Sequence, residues 1–146
     1  MDRAIAGFMI TLLISTGCQD SASENLGSRN GHLAPCPDAP NCVSTESRDP
    51  KRALPPLPFV GNRDQAKNRI LEIVRGMERS EIVEVTDDYV YVRFRTRFLR
   101  FVDDVEFLFD DTVKVVHFRS ASRVGYYDFG LNRRRMIKVS EAYLKK

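Results

Sequence analysis

At residue 81 the apolar residues stop recurring every three or four positions and begin to alternate, and that change of period leaves few folds open to the chain. Before it, Ala66, Ile70, Ile73, Val74 and Met77 fall at helical spacing, with Asn62 and Asp64 as N-cap candidates. An amphipathic helix is expected over 64–79. After it, residues 81–86 read as a first strand and Asp87-Asp88 as a turn. Residues 89–98 read as a long second strand, with Val90, Val92, Phe94 and Phe98 on one face and Tyr89, Tyr91, Arg93, Arg95 and Arg97 on the other. A third strand, 104–109, turns Val105, Phe107 and Phe109 inward, and Asp110-Asp111 leads into a fourth, 112–119. Short turns between consecutive strands make an antiparallel meander, whose single apolar face needs helices over it. The second cover is a C-terminal helix with Met136, Ile137, Ser140, Tyr143 and Leu144 on one stripe and Asn132 as its N-cap candidate. The expected class is α+β: a helix, a four-stranded antiparallel meander sheet and a C-terminal helix, with both helices packed on one face of the sheet.

The N-terminal end addresses the chain. Residues 1–18 read MDRAIAGFMITLLISTGC, with one arginine, an apolar run over 4–14, then small residues up to Cys18. Crossing a hydrocarbon layer of about 30 Å takes roughly 20 apolar residues, so the run reads as a signal peptide over 1–17. Ser15-Thr16-Gly17-Cys18 looks like a bacterial lipobox, with Ser15 where such motifs usually have Leu. Lipidation of Cys18 is the leading expectation; a plain secretory signal and an uncleaved anchor are the alternatives. Gln19 after the cysteine leans towards the outer membrane. Residues 18–34 are too polar to bury a core and read as a flexible tether, which leaves 35–146 as a single α+β domain. Its Pro-rich start, through Leu54-Pro55-Pro56-Leu57-Pro58, is expected to lie extended against the rest.

Once Cys18 is set aside, Cys36 and Cys42 remain as a pair within C-P-D-A-P-N-C, whose prolines and Asn41 favour turns. In an exported chain such a pair is expected to be a disulfide, with zinc and free thiols as alternatives. Zinc is disfavoured because no further cysteine lies nearby. The net charge of +3 is too small to point to nucleic acid, and export argues against it. No cofactor motif is present.

The basic character is local. Residues 119–135, R-S-A-S-R-V-G-Y-Y-D-F-G-L-N-R-R-R, hold five arginines in a loop between a strand and a helix. If Asn132 caps that helix, Arg119, Arg123, Arg133 and Arg135 gather near its N-terminus with Ser120 and Ser122, a set suited to phosphate, sulfate or carboxylate. The competing reading is internal: Asp128 or the acids Asp103, Asp104 and Glu106 satisfy the arginines and staple the loop to the sheet. Those acids also invite acid/base or cation chemistry, but on a strand Asp104 and Glu106 share a face while Asp103 takes the other. Pairing with Arg93, Arg95 or Arg97 of the second strand is the expectation. His117 with Ser120 or Ser122 is a weak nucleophile arrangement, with no G-x-S-x-G elbow to support it.

Three separated stretches, CPDAPNCVST, RFVDDVEF and RSASRVGYYDFGLNRRR, resemble the bacterial and plastid domain-of-unknown-function 1499 family in the same order, over roughly residue 36 to the C-terminus. The resemblance implies a small exported or membrane-attached protein and carries over no catalytic residue. Two functions follow as expectations. The first is a non-enzymatic module, held to the bacterial envelope by a lipid anchor, that recognises an anionic small molecule, lipid headgroup or envelope protein through its arginine loop. The second is a small hydrolase or transferase using Asp103, Asp104, Glu106 or His117 with the arginines.

Overall fold

The structure, a computed structural model, describes residues 25–145. The expected signal peptide, Cys18 and residues 18–24 of the tether lie outside the described residues. Asn62 caps the first helix, α1 (Arg63–Arg75): its side chain accepts the Gln65 amide hydrogen at 2.8 Å, and Asp64 sits in the positive first turn. α1 ends before Gly76, a turn short of the expected 79, and buries Ala66, Ile70, Leu71 and Val74.

The meander follows. Strands β5 (Ser80–Val85), β6 (Tyr89–Arg95), β7 (Val102–Asp110) and β8 (Val115–Ser122) each pair antiparallel with the next. The sheet is wider than the four strands expected, because β3 (Cys42–Ser44) and β4 (Leu57–Pro58) pair with successive halves of the free edge of β8. The Pro-rich segment thus supplies edge strands, where a proline's missing N–H leaves no interior ladder bond unmade. The fold is α+β with a six-stranded sheet.

Two turns differ from the expected ones, and each has a physical cause. β6 stops at Arg95 rather than at 98, because Thr96 N–H donates to Phe101 O and Phe101 N–H donates to Thr96 Oγ1, both at 2.9 Å. Residues 97–100 become the hairpin turn, and Phe98, expected on the core face, is exposed. Between β7 and β8 the Asp110 carboxylate accepts the amide hydrogens of Thr112 and Val113, and Lys114 takes a left-handed φ of 56°. The connection therefore spends four residues, not two, and this sets the register that places Glu106 opposite Arg119.

One face of the sheet carries Val90, Val92, Phe94, Val105, Phe107, Phe109, Val116 and Phe118 against α1 and the second helix, α2 (Leu131–Leu144). From α2 the core takes Met136, Val139 and Tyr143; Ile137 and Leu144 of the expected stripe are exposed. The other face is not open to solvent. Residues expected to be tether form a small hairpin of β1 (Ser28–Arg29) and β2 (His32–Leu33), and Leu33 and Leu26 pack on Tyr89, Tyr91 and Leu108. Gly27 N–H donates to Glu106 Oε1 at 2.8 Å and Leu33 N–H to Glu46 Oε2 at 2.8 Å, so these residues are bonded to the domain. The helices cover one face, and this hairpin covers the other.

Candidate functional site: a stapled arginine loop beside a basic groove

Alternation along β7 sorts its acids, as the strand period requires. Asp104 and Glu106 lie beneath the hairpin, and Asp103 points to α2. Each meets an arginine. Arg119 Nη1 donates to Glu106 Oε2 at 2.8 Å, with both side chains almost wholly buried. Arg123 Nε stands 3.1 and 3.0 Å from the two Asp104 oxygens, and its Nη2 donates to Tyr91 Oη at 2.9 Å. Arg135 Nη2 donates to Asp103 Oδ2 at 2.5 Å, and its guanidinium carbon lies 4.7 Å from the Phe94 ring centre. The two tyrosines beneath the hairpin complete the pairs: Tyr89 Oη donates to Glu106 Oε1 at 2.8 Å and Tyr91 Oη to Asp104 Oδ1 at 2.6 Å. Burial, reinforced by the neighbouring carboxylate, holds both phenols above their ordinary range, while the hydrogen bonds that Arg123 donates to Asp104 hold its guanidinium more firmly protonated than usual.

The loop that follows β8 is tied at several points. Asn132 is not the N-cap of α2; Gly130, at φ 73°, holds that position, and an added Cβ there would meet Arg134 Nη1 at 3.2 Å. The cap is Asp128, whose two oxygens accept Gly130 N–H at 2.9 Å and Asn132 N–H at 2.8 Å. Asn132 is instead buried at the centre of a polar network. Its Oδ1 accepts Ser120 Oγ–H at 2.5 Å and Arg135 Nη1–H at 2.7 Å, and its Nδ2 donates to Asn41 O and Ser122 Oγ, both at 3.0 Å. Asn41 Nδ2 in turn donates to Gly125 O at 2.5 Å, and Asn41 belongs to the ring closed by the Cys36–Cys42 disulfide. The disulfide expected from sequence thus braces the arginine loop.

Solvent meets the site in two places. A pocket of about 340 Å³ lies under Cys36, with Asp104, Arg119 and Arg123 in its wall. A larger groove, about 580 Å³, runs between the turn after α1, the end of β6 and the first turns of α2. Arg79, Arg95, Arg97, Arg134, Arg135 and Lys138 line it, against Glu78 as its one acid. Glu78 pairs with Arg79 at 2.6 Å and Glu81 with Arg95 at 3.5 Å. The ion pairs among the described residues give Arg97, Arg134 and Lys138 no carboxylate.

A family model described as "Protein of unknown function (DUF1499)" matches residues 32–142. The chain belongs to the DUF1499 family. No curated protein and no solved structure matches it.

Within this DUF1499 domain the residues proposed for one anion site divide between two faces of the sheet. Arg119 and Arg123 lie with Asp104 and Glu106 beneath the hairpin; Ser120, Ser122, Asn132, Arg135 and Asp103 lie on the helix side; Arg133 donates to the Lys51 and Ala53 carbonyls. They do not form one contiguous surface. Where Arg93, Arg95 or Arg97 was the expected partner, Asp103, Asp104 and Glu106 take Arg135, Arg123 and Arg119, and Arg93 and Arg95 reach Glu81. His117 Nδ1 lies 3.1 Å from Thr45 Oγ1, on the face opposite Ser120, so no serine–histidine pair is assembled. Sequence reasoning missed Tyr89 and Tyr91 as carboxylate partners and Asn41 as a brace. Their place on the same face as Asp104 and Glu106 was legible from the alternation; the register that stands Tyr91 opposite Glu106 and the hairpin that closes over them were not. Of the groove cations, Arg134 and Lys138 stand one turn apart on α2 and Arg97 comes from the distant turn after β6, so their meeting left no linear signal.

Proposed function

We propose that this DUF1499 protein is a non-enzymatic binding module, exported and held at the bacterial envelope through lipid on Cys18, whose basic groove takes an anionic component. The reading is carried by the groove itself, where six cations face one acid and where, among the described residues, Arg97, Arg134 and Lys138 have no ion-pair carboxylate. Guanidinium and ammonium groups gathered at one concave surface repel each other, and a phosphate or carboxylate between them relieves that repulsion. Acid/base chemistry is poorly served by comparison: Asp103, Asp104 and Glu106 are each buried and occupied in an ion pair with an arginine. Export rests on the apolar run over 4–14 and the following Ser15-Thr16-Gly17-Cys18. Among the described residues no helix is long and apolar enough to cross a membrane, and the attachment proposed is the lipid on Cys18.

Two measurements test the reading. Inorganic phosphate, sulfate and a polyphosphate added to the purified protein should raise its melting temperature by mass action, and Arg97→Ala with Lys138→Ala should abolish that rise. A melting temperature indifferent to every anion would refute the groove. Metabolic labelling with a fatty-acid analogue should mark the wild type and not Cys18→Ser; equal labelling of the two would refute the anchor.

A further inference from the structure

Two loops leave the sheet side by side beside the basic groove, and both carry large apolar side chains that the core does not use. Arg123 N–H donates to Val102 O at 3.0 Å, extending the β7–β8 register so that residue 101 stands across from residue 124. The β6–β7 turn therefore lies against the loop that leads into α2. On the first, Phe98 is 86% and Leu99 70% exposed; on the second, Tyr126 is 73% and Phe129 77% exposed. Single exposed apolar residues are ordinary, but four on two adjoining loop tips make a patch.

Phe129 is the informative member. Its φ of 56° lies in the left-handed region, which costs a bulky residue free energy, and the Asp128 carboxylate holds the backbone there through Gly130 and Asn132. The Tyr127 ring meets Phe129 edge-on at 5.1 Å. The backbone thus holds this ring out in solvent, open to contact from outside the domain. Cations stand at the base of each tip: the Arg97 guanidinium lies 5.6 Å from the Phe98 ring centre, and Arg134 Nη1 donates to Phe129 O at 2.7 Å.

We propose that this end of the molecule docks on a bilayer containing anionic phospholipid, with Phe98, Leu99 and Phe129 inserted at the boundary of the acyl chains and Arg97, Arg134 and Lys138 on the headgroup phosphates. The layering favours a bilayer over a protein partner. Projecting apolar tips with cations behind them match hydrocarbon with phosphate above it, whereas a protein would need two separate pockets flanked by acids. The cationic half of the proposal rests on the groove reading above; the apolar half stands without it.

The test uses the mature chain, residues 18–146 with Cys18→Ser, which bears neither the apolar run over 4–14 nor an acyl group. It should sediment with vesicles of phosphatidylcholine and phosphatidylglycerol in equal parts, and more weakly with phosphatidylcholine alone. Replacing Phe98, Leu99 and Phe129 by serine should lower vesicle affinity at least about tenfold, with the melting temperature and the phosphate response unchanged. The chain contains no tryptophan, so Phe98→Trp gives a single emitter, and its emission should shift to the blue on adding vesicles. Equal vesicle affinity for parent and serine variant, or an unshifted emission, would overturn the docking surface. If Arg97→Ala with Lys138→Ala leaves the phosphatidylglycerol preference intact while the serine variant still loses binding, the groove reading fails and the apolar tips stand.

Discussion

At the scale of single residues, Arg135 ties α2 to three strands of the sheet. Its guanidinium bridges Asp103 on β7, Ser120 on β8 and Asn132 on its own helix, and lies over Phe94 on β6. Removing it leaves Asp103, only 1% exposed, as a buried carboxylate with no cation. Breaking one side of such a pair costs about 3–5 kcal/mol, whereas replacing both partners by apolar groups is often close to neutral. Arg135→Ala should therefore lose about that much stability in urea unfolding, and Arg135→Met combined with Asp103→Leu should recover most of it. A single variant within about 1 kcal/mol of wild type would show that the pair is solvated in solution.

At the scale of elements, the hairpin over the second face decides how the protein answers alkali. Tyr89 and Tyr91 are buried beneath it with their phenols on Glu106 and Asp104, and both are raised above the usual 10.0, by burial first and by the carboxylate next. The unfolded phenols ionise from about pH 10 upward while the folded ones stay protonated, so the native state binds more protons and stability falls as pH rises through that window. The melting temperature should be flat on this account below pH 10 and decline above it. The decline should be shallower when Tyr89→Phe and Tyr91→Phe are combined, although the variant starts lower because two carboxylates lose a donor. Parallel profiles for the two proteins would show that the phenols are solvated.

At the scale of the whole molecule, what the sequence determined by itself was everything carried by local period and local chemistry. The change from helical to alternating spacing placed α1 and the strands of the meander, because each side chain's face follows from its position alone. The inward set Val105, Phe107 and Phe109, the cap at Asn62 and the Cys36–Cys42 pair were legible for the same reason. So was the division of Asp103 from Asp104 and Glu106. What only the tertiary structure decided was everything set by where distant segments meet. The Asp110 turn, two residues longer than expected, shifted the register and gave Glu106 its arginine across the strand. The polar residues 26–33 were read as tether because their few apolar side chains cannot form a core alone. Leu26 and Leu33 need only a small one, and the sheet supplies it through Tyr89, Tyr91 and Leu108. Asn132 fits the composition of a cap, yet burial drew it into the polar network and Asp128 took the capping role. The basic groove joins residues near 79, 97 and 138, whose proximity no local pattern encodes. It exists because α1, the end of β6 and α2 converge at one end of the sheet.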